Sequence, residues 1–419
     1  MDLILSDDRR MSVEEFKTTE LLRRARQQAI LRGYDRFPII DVDSHHYETD
    51  AISAAQIMDY IRDPVLKHLA QSAAQVGSKN ANGARGLGIL PSGVAYQDMG
   101  GRVTRYVLRG HEQTGTSEHR DIELTKRWMD AMGIDITILF PTMMLDLGFH
   151  PQVQVEVELS RAYNGWLADC LLAKEPRLRS MLYLPFNDPD ACVRTIEEFG
   201  DRKGVIGFMV TSARNKPVHD NVYMRIYAML QERGLPLSFH GNYNWGDVSF
   251  STMNRFISVH SLGFVFYNMV HMVNWIMNGI PERFPKLKVM WIESGLAWLP
   301  FMIQRLDNEY KMRTSEAPAL KKLPGDYIRE MFFSSQPMEK PDDLRDLETT
   351  FRMIKAETQL MYSSDYPHWD FDLPSVIYDL KFLSEDAKRN ILGGNAIRIF
   401  NLGDVKKMAK ISDVAEAAE

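Results

Sequence analysis

Asp43, His45 and Glu48 close the apolar run Phe37-Pro-Ile-Ile-Asp-Val-Asp-Ser-His-His-Tyr-Glu48, and all three are types that ligate divalent metal ions. Residues two apart on a strand share a face, so Asp43 and His45 can grip one ion together while His46 turns to the other side. A second cluster, Ser363-Ser-Asp-Tyr-Pro-His-Trp-Asp370, follows another apolar run, and His240 ends a third. Asp43, His45, His240 and Asp365 therefore stand at three strand ends. Imidazole and carboxylate groups converging from separate strands give a preformed ligand set, and positions left to water make such a site catalytic. A purely structural reading would leave Asp43 and Asp365 as buried charges without partners, which is costly.

Such residues need a frame to carry them. From residue 37 onward, apolar runs recur at Pro38 to Asp43, Ile134 to Pro141, Met181 to Pro185, Val205 to Val210, Leu235 to His240, Val289 to Glu293, Met331 to Ser335 and Leu360 to Asp365. Each is followed by a helical segment, the signature of repeated β-α units and a parallel sheet. The expected fold is α/β, a (β/α)8 TIM barrel over 37–402, with an N-terminal helical extension (1–36), long capping insertions and a C-terminal tail (403–419). The span exceeds the usual ~250 residues, so insertions must be housed. They are placed at 49–120, rich in Gly, Ser, Asn and Gln in its middle, and at 242–271, which carries Trp245, Phe250, Phe256, Phe264 and Phe266. Both leave the carboxyl ends of strands, where barrel active sites are built. In the extension, Ser12-Val-Glu-Glu15 is a capping box before Phe16, Leu21, Leu22, Ala25 and Ile30. That predicts a helix packed on its own barrel or on a neighbouring subunit. The tail reads as a frayed helix.

Bulk properties exclude several classes of partner. A net charge of −6 with no Lys/Arg run gives no footprint for nucleic acid. No apolar stretch reads as a membrane span, and the first residues lack a signal-peptide core, so the expected compartment is the cytoplasm. Cys170 and Cys192, the only cysteines, sit in helical, partly apolar segments and read as buried thiols.

The motifs Ile40-Asp-Val-Asp-Ser-His45, Ser238-Phe-His-Gly241, Gly279-Ile-Pro-Glu-Arg-Phe-Pro-Lys-Leu-Lys288, Trp291-Ile-Glu-Ser-Gly-Leu-Ala-Trp-Leu-Pro300, Tyr362-Ser-Ser-Asp-Tyr-Pro-His368 and Gly394-Asn-Ala-Ile-Arg-Ile-Phe400 occur in this order. With them the chain resembles the amidohydrolase superfamily, in its decarboxylase-like branch. The resemblance implies a metal-dependent barrel, with Asp43 and His45 as the first-strand pair, His240 as the fifth-strand ligand and Asp365 as the eighth-strand acid. Two departures stand out. The branch carries His-x-His or Glu-x-His on the first strand, where this chain has Asp43-Ser-His45, and a sixth-strand histidine, where this chain has Glu293. No lysine ends the fourth strand, so the carbamylated-lysine bridge of two-metal relatives is absent.

The remaining candidates surround this set. Glu293 is a second acid/base or a ligand, Glu48 a ligand or an orienting group, and His260 a ligand or a cap residue. His368, Arg102 and Arg105 are candidates for binding substrate, the arginines by clamping a carboxylate. One divalent ion balances Asp43 and Asp365; ionised Glu48 and Glu293 would leave an excess of two negative charges. Three readings stay open. The first is a Zn- or Mn-dependent hydrolase or decarboxylase (a lyase) acting on a small organic acid, amide or lactone, with Asp365 as general acid/base. The second is a two-metal Fe/Mn oxygenase or amino-acid hydroxylase, and the third a metal-stabilised, non-catalytic partner subunit. The expected partners are a small-molecule substrate and other copies of the chain in a homo-oligomer, or a related chain in a hetero-oligomer.

Overall fold

A computed structural model of the chain describes residues 18–46, 48, 51–77, 119–213, 216–368 and 370–411. Its eight strands are β1 (Ile40–His46), β2 (Ile136–Pro141), β3 (Leu178–Tyr183), β4 (Val205–Thr211), β5 (Leu237–His240), β6 (Val289–Ile292), β7 (Phe332–Ser334) and β8 (Leu360–Met361). They pair in sequence order, every pair parallel. Bonds from Val42 N to Tyr362 O (3.0 Å) and from Asp365 N to Asp43 O (2.8 Å) bring β8 back to β1. The result is a (β/α)8 barrel. Strands buried on both faces read as continuous apolar runs, which is why the sequence marked them.

β8 is a stub of two residues, although the apolar run suggested a strand as far as Asp365. Beyond Met361, side chains replace the ladder. Asp41 accepts from Ser364 N (2.8 Å) and Ser364 Oγ (2.5 Å), and Ser363 N donates to Ser335 Oγ (3.0 Å). Asp41 thus ties the segment bearing Asp365 to the strand bearing Asp43.

The helix Thr18–Arg32 buries Leu22, Ala25 and Ala29 in the main core, and Arg32 pairs with Asp379 at 2.6 Å. It packs on its own barrel through these residues, while Ile30 of the proposed periodicity is 58% exposed. The capping box lies outside the described residues. The insertion 49–120 opens with the helices Ala51–Asp59 and Pro64–Gly77; its middle also lies outside them. Most of 242–271 belongs to a 22-residue helix, Phe256–Met277. Contrary to the sequence reading, this helix is long and apolar enough to cross a membrane; here Val259, Gly263, Tyr267, His271 and Trp275 are buried within the fold. Cys192 is buried, Cys170 only partly so, and neither is bridged.

Residues 402–411 are not helical, against the expected frayed helix. Buried Asp135 holds them down, accepting from Met408 N (2.6 Å), Ala409 N (2.9 Å) and Lys407 Nζ (2.9 Å) while also taking Ile39 N (2.8 Å). Asp135→Ala would orphan three backbone amides. It is expected to cost about 2–4 kcal/mol, read as a lower urea midpoint with unchanged m-value.

Candidate metal centre

The end of β1 presents Asp43 and His45 inward, both with no solvent exposure. His46 points the other way: its Nε2 is 2.8 Å from Tyr163 Oη and its ring stacks on Trp166. His240 arrives from the end of β5. Gly241 then lets β5 and β6 close up, since a Cβ there would stand 2.1 Å from the carbonyl oxygen of Glu293. Glu293 and Asp365 both adopt left-handed backbone conformations, at φ 54° and 58°. For non-glycine residues this costs on the order of 1–3 kcal/mol, and it is the kind of strain found where side chains must be aimed.

The distances define one cluster. His45 Nε2 lies 3.3 Å from Asp43 Oδ1 and 3.2 Å from Asp365 Oδ1, and His240 Nε2 lies 3.3 Å from the same Asp43 oxygen. Glu293 Oε2 is 3.4 Å from His240 Nδ1, and His368 Nδ1 is 2.7 Å from Asp365 Oδ1. Ligands about 2.1 Å from a common ion stand roughly 3.0–3.4 Å apart along tetrahedral or octahedral edges.

The histidine tautomers agree with ligation. His45 Nδ1 faces the carbonyl of Pro141 at 2.8 Å and His240 Nδ1 that of Gly241 at 2.9 Å. A carbonyl only accepts, so each Nδ1 carries a proton and each Nε2 turns to the carboxylates, the arrangement of metal-binding imidazoles. His45 Nε2, Asp43 Oδ2, Asp365 Oδ2 and Glu293 Oε2 are buried with no hydrogen-bond partner among the described residues. Four orphaned donor atoms in one pocket are expensive unless a cation satisfies them. The donor set fits a divalent ion: Asp43, His45, His240 and Glu293 are close enough together to hold it, and Asp365 joins through His45 and His368.

Electrostatics point the same way. Burial disfavours a charged His45, yet Asp365 and Asp43 outweigh it and raise its pKa to about 10. The pocket calls for positive charge at this nitrogen, from a proton or from a metal that displaces it. Burial also opposes ionisation of Asp43 and Asp365, but His240 and His45 hold the first below the usual carboxylate range, and His368 and His45 the second. Glu293 goes the other way: burial, then Asp365, Asp43 and Asp370, raise it well above that range, so it favours its protonated form. Burial lowers the His368 pKa despite the opposing Asp365 carboxylate.

Two candidate ligands stand elsewhere. Glu48 spends both carboxylate oxygens on backbone N–H groups of the β2 loop, Thr142 N at 3.0 Å and Met144 N at 2.6 Å, and does not join the cluster. His260 sits among Tyr243, Phe256 and Phe264, with ring centroids 4.9–6.2 Å away, and is a member of an aromatic cap rather than a ligand. Buried His271 bonds Ser212 O at 2.7 Å. Arg102 and Arg105 lie outside the described residues. Sequence reasoning missed Asp41, Thr142 and the Pro141 carbonyl; the alternation that marks Asp43 and His45 also marks Asp41, and was the one available signal.

A family model described as amidohydrolase matches residues 42–402. The chain belongs to the amidohydrolase family. This amidohydrolase is 24% identical to a gamma-resorcylate decarboxylase of Polaromonas over 66% of the chain and 86% of the relative. It is 22% identical to a 2-amino-3-carboxymuconate-6-semialdehyde decarboxylase of Dictyostelium discoideum over 67% of the chain and 76% of the relative. Among solved structures, the amidohydrolase barrel resembles a dihydroxybenzoic acid decarboxylase from Polaromonas with bound manganese and 2-nitroresorcinol. That match has a TM-score of 0.61 at 20% identity and covers 89% of the chain and 99% of that structure. A 5-carboxyvanillate decarboxylase from Sphingomonas paucimobilis gives 0.62 at 20% identity, covering 87% and 99%.

Proposed function

We propose that this amidohydrolase is a divalent-metal-dependent, non-oxidative decarboxylase of a small organic acid, with manganese as the best candidate ion. The observation that carries the reading is the buried cluster of histidines and acids in which His45 Nε2, Asp43 Oδ2, Asp365 Oδ2 and Glu293 Oε2 lack hydrogen-bond partners. The decarboxylase relatives select the reaction type. A cytoplasmic location goes with this reading.

The charge count closes on one ion. Asp43 and Asp365 balance it, Glu48 is committed to the β2 loop and Glu293 favours its neutral form. The two-metal reading needed Glu48, Glu293 and His260 near a second ion; Glu293 stands in the cluster, but Glu48 and His260 stand elsewhere.

A bound ion would supply the positive charge that holds the substrate's carboxylate or a neighbouring hydroxyl. The chain's residues do the rest. Asp365, paired with His368 at 2.7 Å, takes a proton from the arriving substrate and passes it to the carbon bearing the carboxylate. As the new C–H bond forms, the bond to the carboxylate breaks, its electrons return to the carbon and CO2 leaves. Glu293, protonated beside His240 and His368, keeps a further negative charge out of the pocket and is the second proton donor, returning to the product the proton that Asp365 moved to the carbon.

The test is a panel of carboxylic acids, including 2,6-dihydroxybenzoate and 5-carboxyvanillate, assayed for CO2 release by manganese-loaded protein. The expected result is release from at least one acid, abolished by a chelator and restored by manganese. Turnover of esters, lactones or amides with no CO2 from any acid would overturn the reading in favour of hydrolysis.

A further inference from the structure

Glu48 and Thr142 lie next to the cluster without belonging to it, and their hydrogen bonds divide the work in an unusual way. A 3-10 helix, Met143–Phe149, follows β2 directly, and Thr142 is its N-cap. Threonine in that position ordinarily uses its own oxygen on the orphan amides of the first turn. Here the Thr142 side chain caps nothing. Glu48 reaches across from the loop after β1 and does the capping, one oxygen on Thr142 N (3.0 Å) and the other on Met144 N (2.6 Å).

That frees the Thr142 hydroxyl for another use. Its single proton goes to the carbonyl of His46 (2.9 Å), so toward His368 the oxygen accepts, 3.3 Å from the ring's Nε2. The far nitrogen of that ring, Nδ1, is the atom 2.7 Å from Asp365 Oδ1. The ring also stacks on His45 with centroids 4.0 Å apart. A histidine χ2 is a broad, soft torsion, so one contact at one edge does not fix the ring. A second contact at the opposite edge does.

We propose that Glu48 and Thr142 are positioning residues for His368: Glu48 pins the β2 loop, and the Thr142 hydroxyl thereby holds the imidazole against Asp365. The chain of contacts runs from the end of β1 through the loop after β2 to the segment after β8, so residues from three strands set one ring. The catalytic part rests on the decarboxylase reading; the hydrogen bond to the ring does not.

The test therefore has two arms. In zinc-loaded, 15N-histidine-labelled protein, the His368 ring nitrogens are assigned by their loss in His368→Gln and then compared in Thr142→Val, Thr142→Ser and Glu48→Gln. Thr142→Val is expected to move the His368 Nε2 resonance while leaving those of His45 and His240 in place, Thr142→Ser to restore it, and Glu48→Gln to move it in the same direction as Thr142→Val. This arm needs no substrate, so it decides the contact even if no acid is turned over. With a substrate in hand, Thr142→Val is expected to lower kcat about tenfold with little change in KM or metal content, as for one lost hydrogen bond, and Thr142→Ser to recover most of it. If Thr142→Val does not fold, Glu48→Gln carries both readouts. An unmoved His368 resonance, or a kcat loss that serine fails to rescue, overturns the proposal.

Discussion

His240→Ala is expected to strip the divalent ion from the protein and to lower kcat/KM by at least about a thousandfold. Losing an outer partner of a metal ligand already costs about 10–100-fold in affinity, and a ligand should cost more. The imidazole removed is one of two whose Nε2 faces Asp43 Oδ1 at 3.3 Å, and without it the group keeps one imidazole, His45, beside the acids Asp43 and Glu293. Asp43 would then keep a buried carboxylate with half of its cationic surroundings gone, so the variant should also melt lower than the wild type. Metal per chain by elemental analysis, together with CO2 release, checks this. Asp365→Asn separates the two roles given to Asp365, because an amide oxygen can still approach an ion but cannot relay a proton; residual metal with no turnover is expected. His260→Ala provides the contrast. Its ring belongs to the aromatic cap, and metal content should stay at the wild-type level. Full metal and full activity in His240→Ala would sink the site assignment.

The barrel was legible because each parallel strand is covered on both faces and so leaves an uninterrupted apolar run, and the convergence of Asp43, His45, His240 and Asp365 follows once those runs are ordered. What was not legible depends on single loop conformations. Glu48 has the chemistry of a ligand and lies three residues from His45, and only the path of the β2 loop decides that two backbone amides claim it first. His260 shares a helical stripe with aromatic residues, and stripe spacing alone does not say whether a ring turns to a metal or to its neighbours. Asp41 is the instructive omission. The period-two argument that selects Asp43 and His45 selects Asp41 equally, but Ser364 takes both of its oxygens and turns it into the clasp between β1 and the Asp365 segment. Burial raises its pKa to about 8 even against those hydrogen bonds, a sign of how little solvent reaches this end of the barrel. The shortness of β8 has the same origin: Ser363 and Ser364 make side-chain bonds where a ladder would otherwise run, and an apolar-run rule does not see them.

Glu293→Gln is expected to keep the metal and KM while lowering kcat by about 10²–10⁴-fold. Glutamine is nearly isosteric and neutral, so it reproduces the charge that burial and the neighbouring carboxylates impose on Glu293, and it can still donate a hydrogen bond from its amide. What it cannot do is give up a proton. A large loss therefore assigns Glu293 to proton transfer, whereas near-wild-type turnover would mean that a neutral donor beside His240 is all the pocket requires. The pH profile distinguishes these cases independently. A general acid works only while protonated, so activity should be present below the Glu293 pKa and lost as pH rises through it. Because that pKa is raised, the descending limb should lie well above the ordinary carboxylate range, and it should vanish from the residual activity of Glu293→Gln. Glu293→Asp provides the geometric control. It keeps an acid but withdraws the carboxyl by one methylene from His240 Nδ1 at 3.4 Å and His368 Nδ1 at 3.9 Å, so it should retain the limb with a reduced kcat. If Glu293→Gln and wild type share the same limb, the titrating group is elsewhere in the cluster, and the exchange of a histidine for an acid on this strand would have altered the charge of the pocket rather than its proton donor.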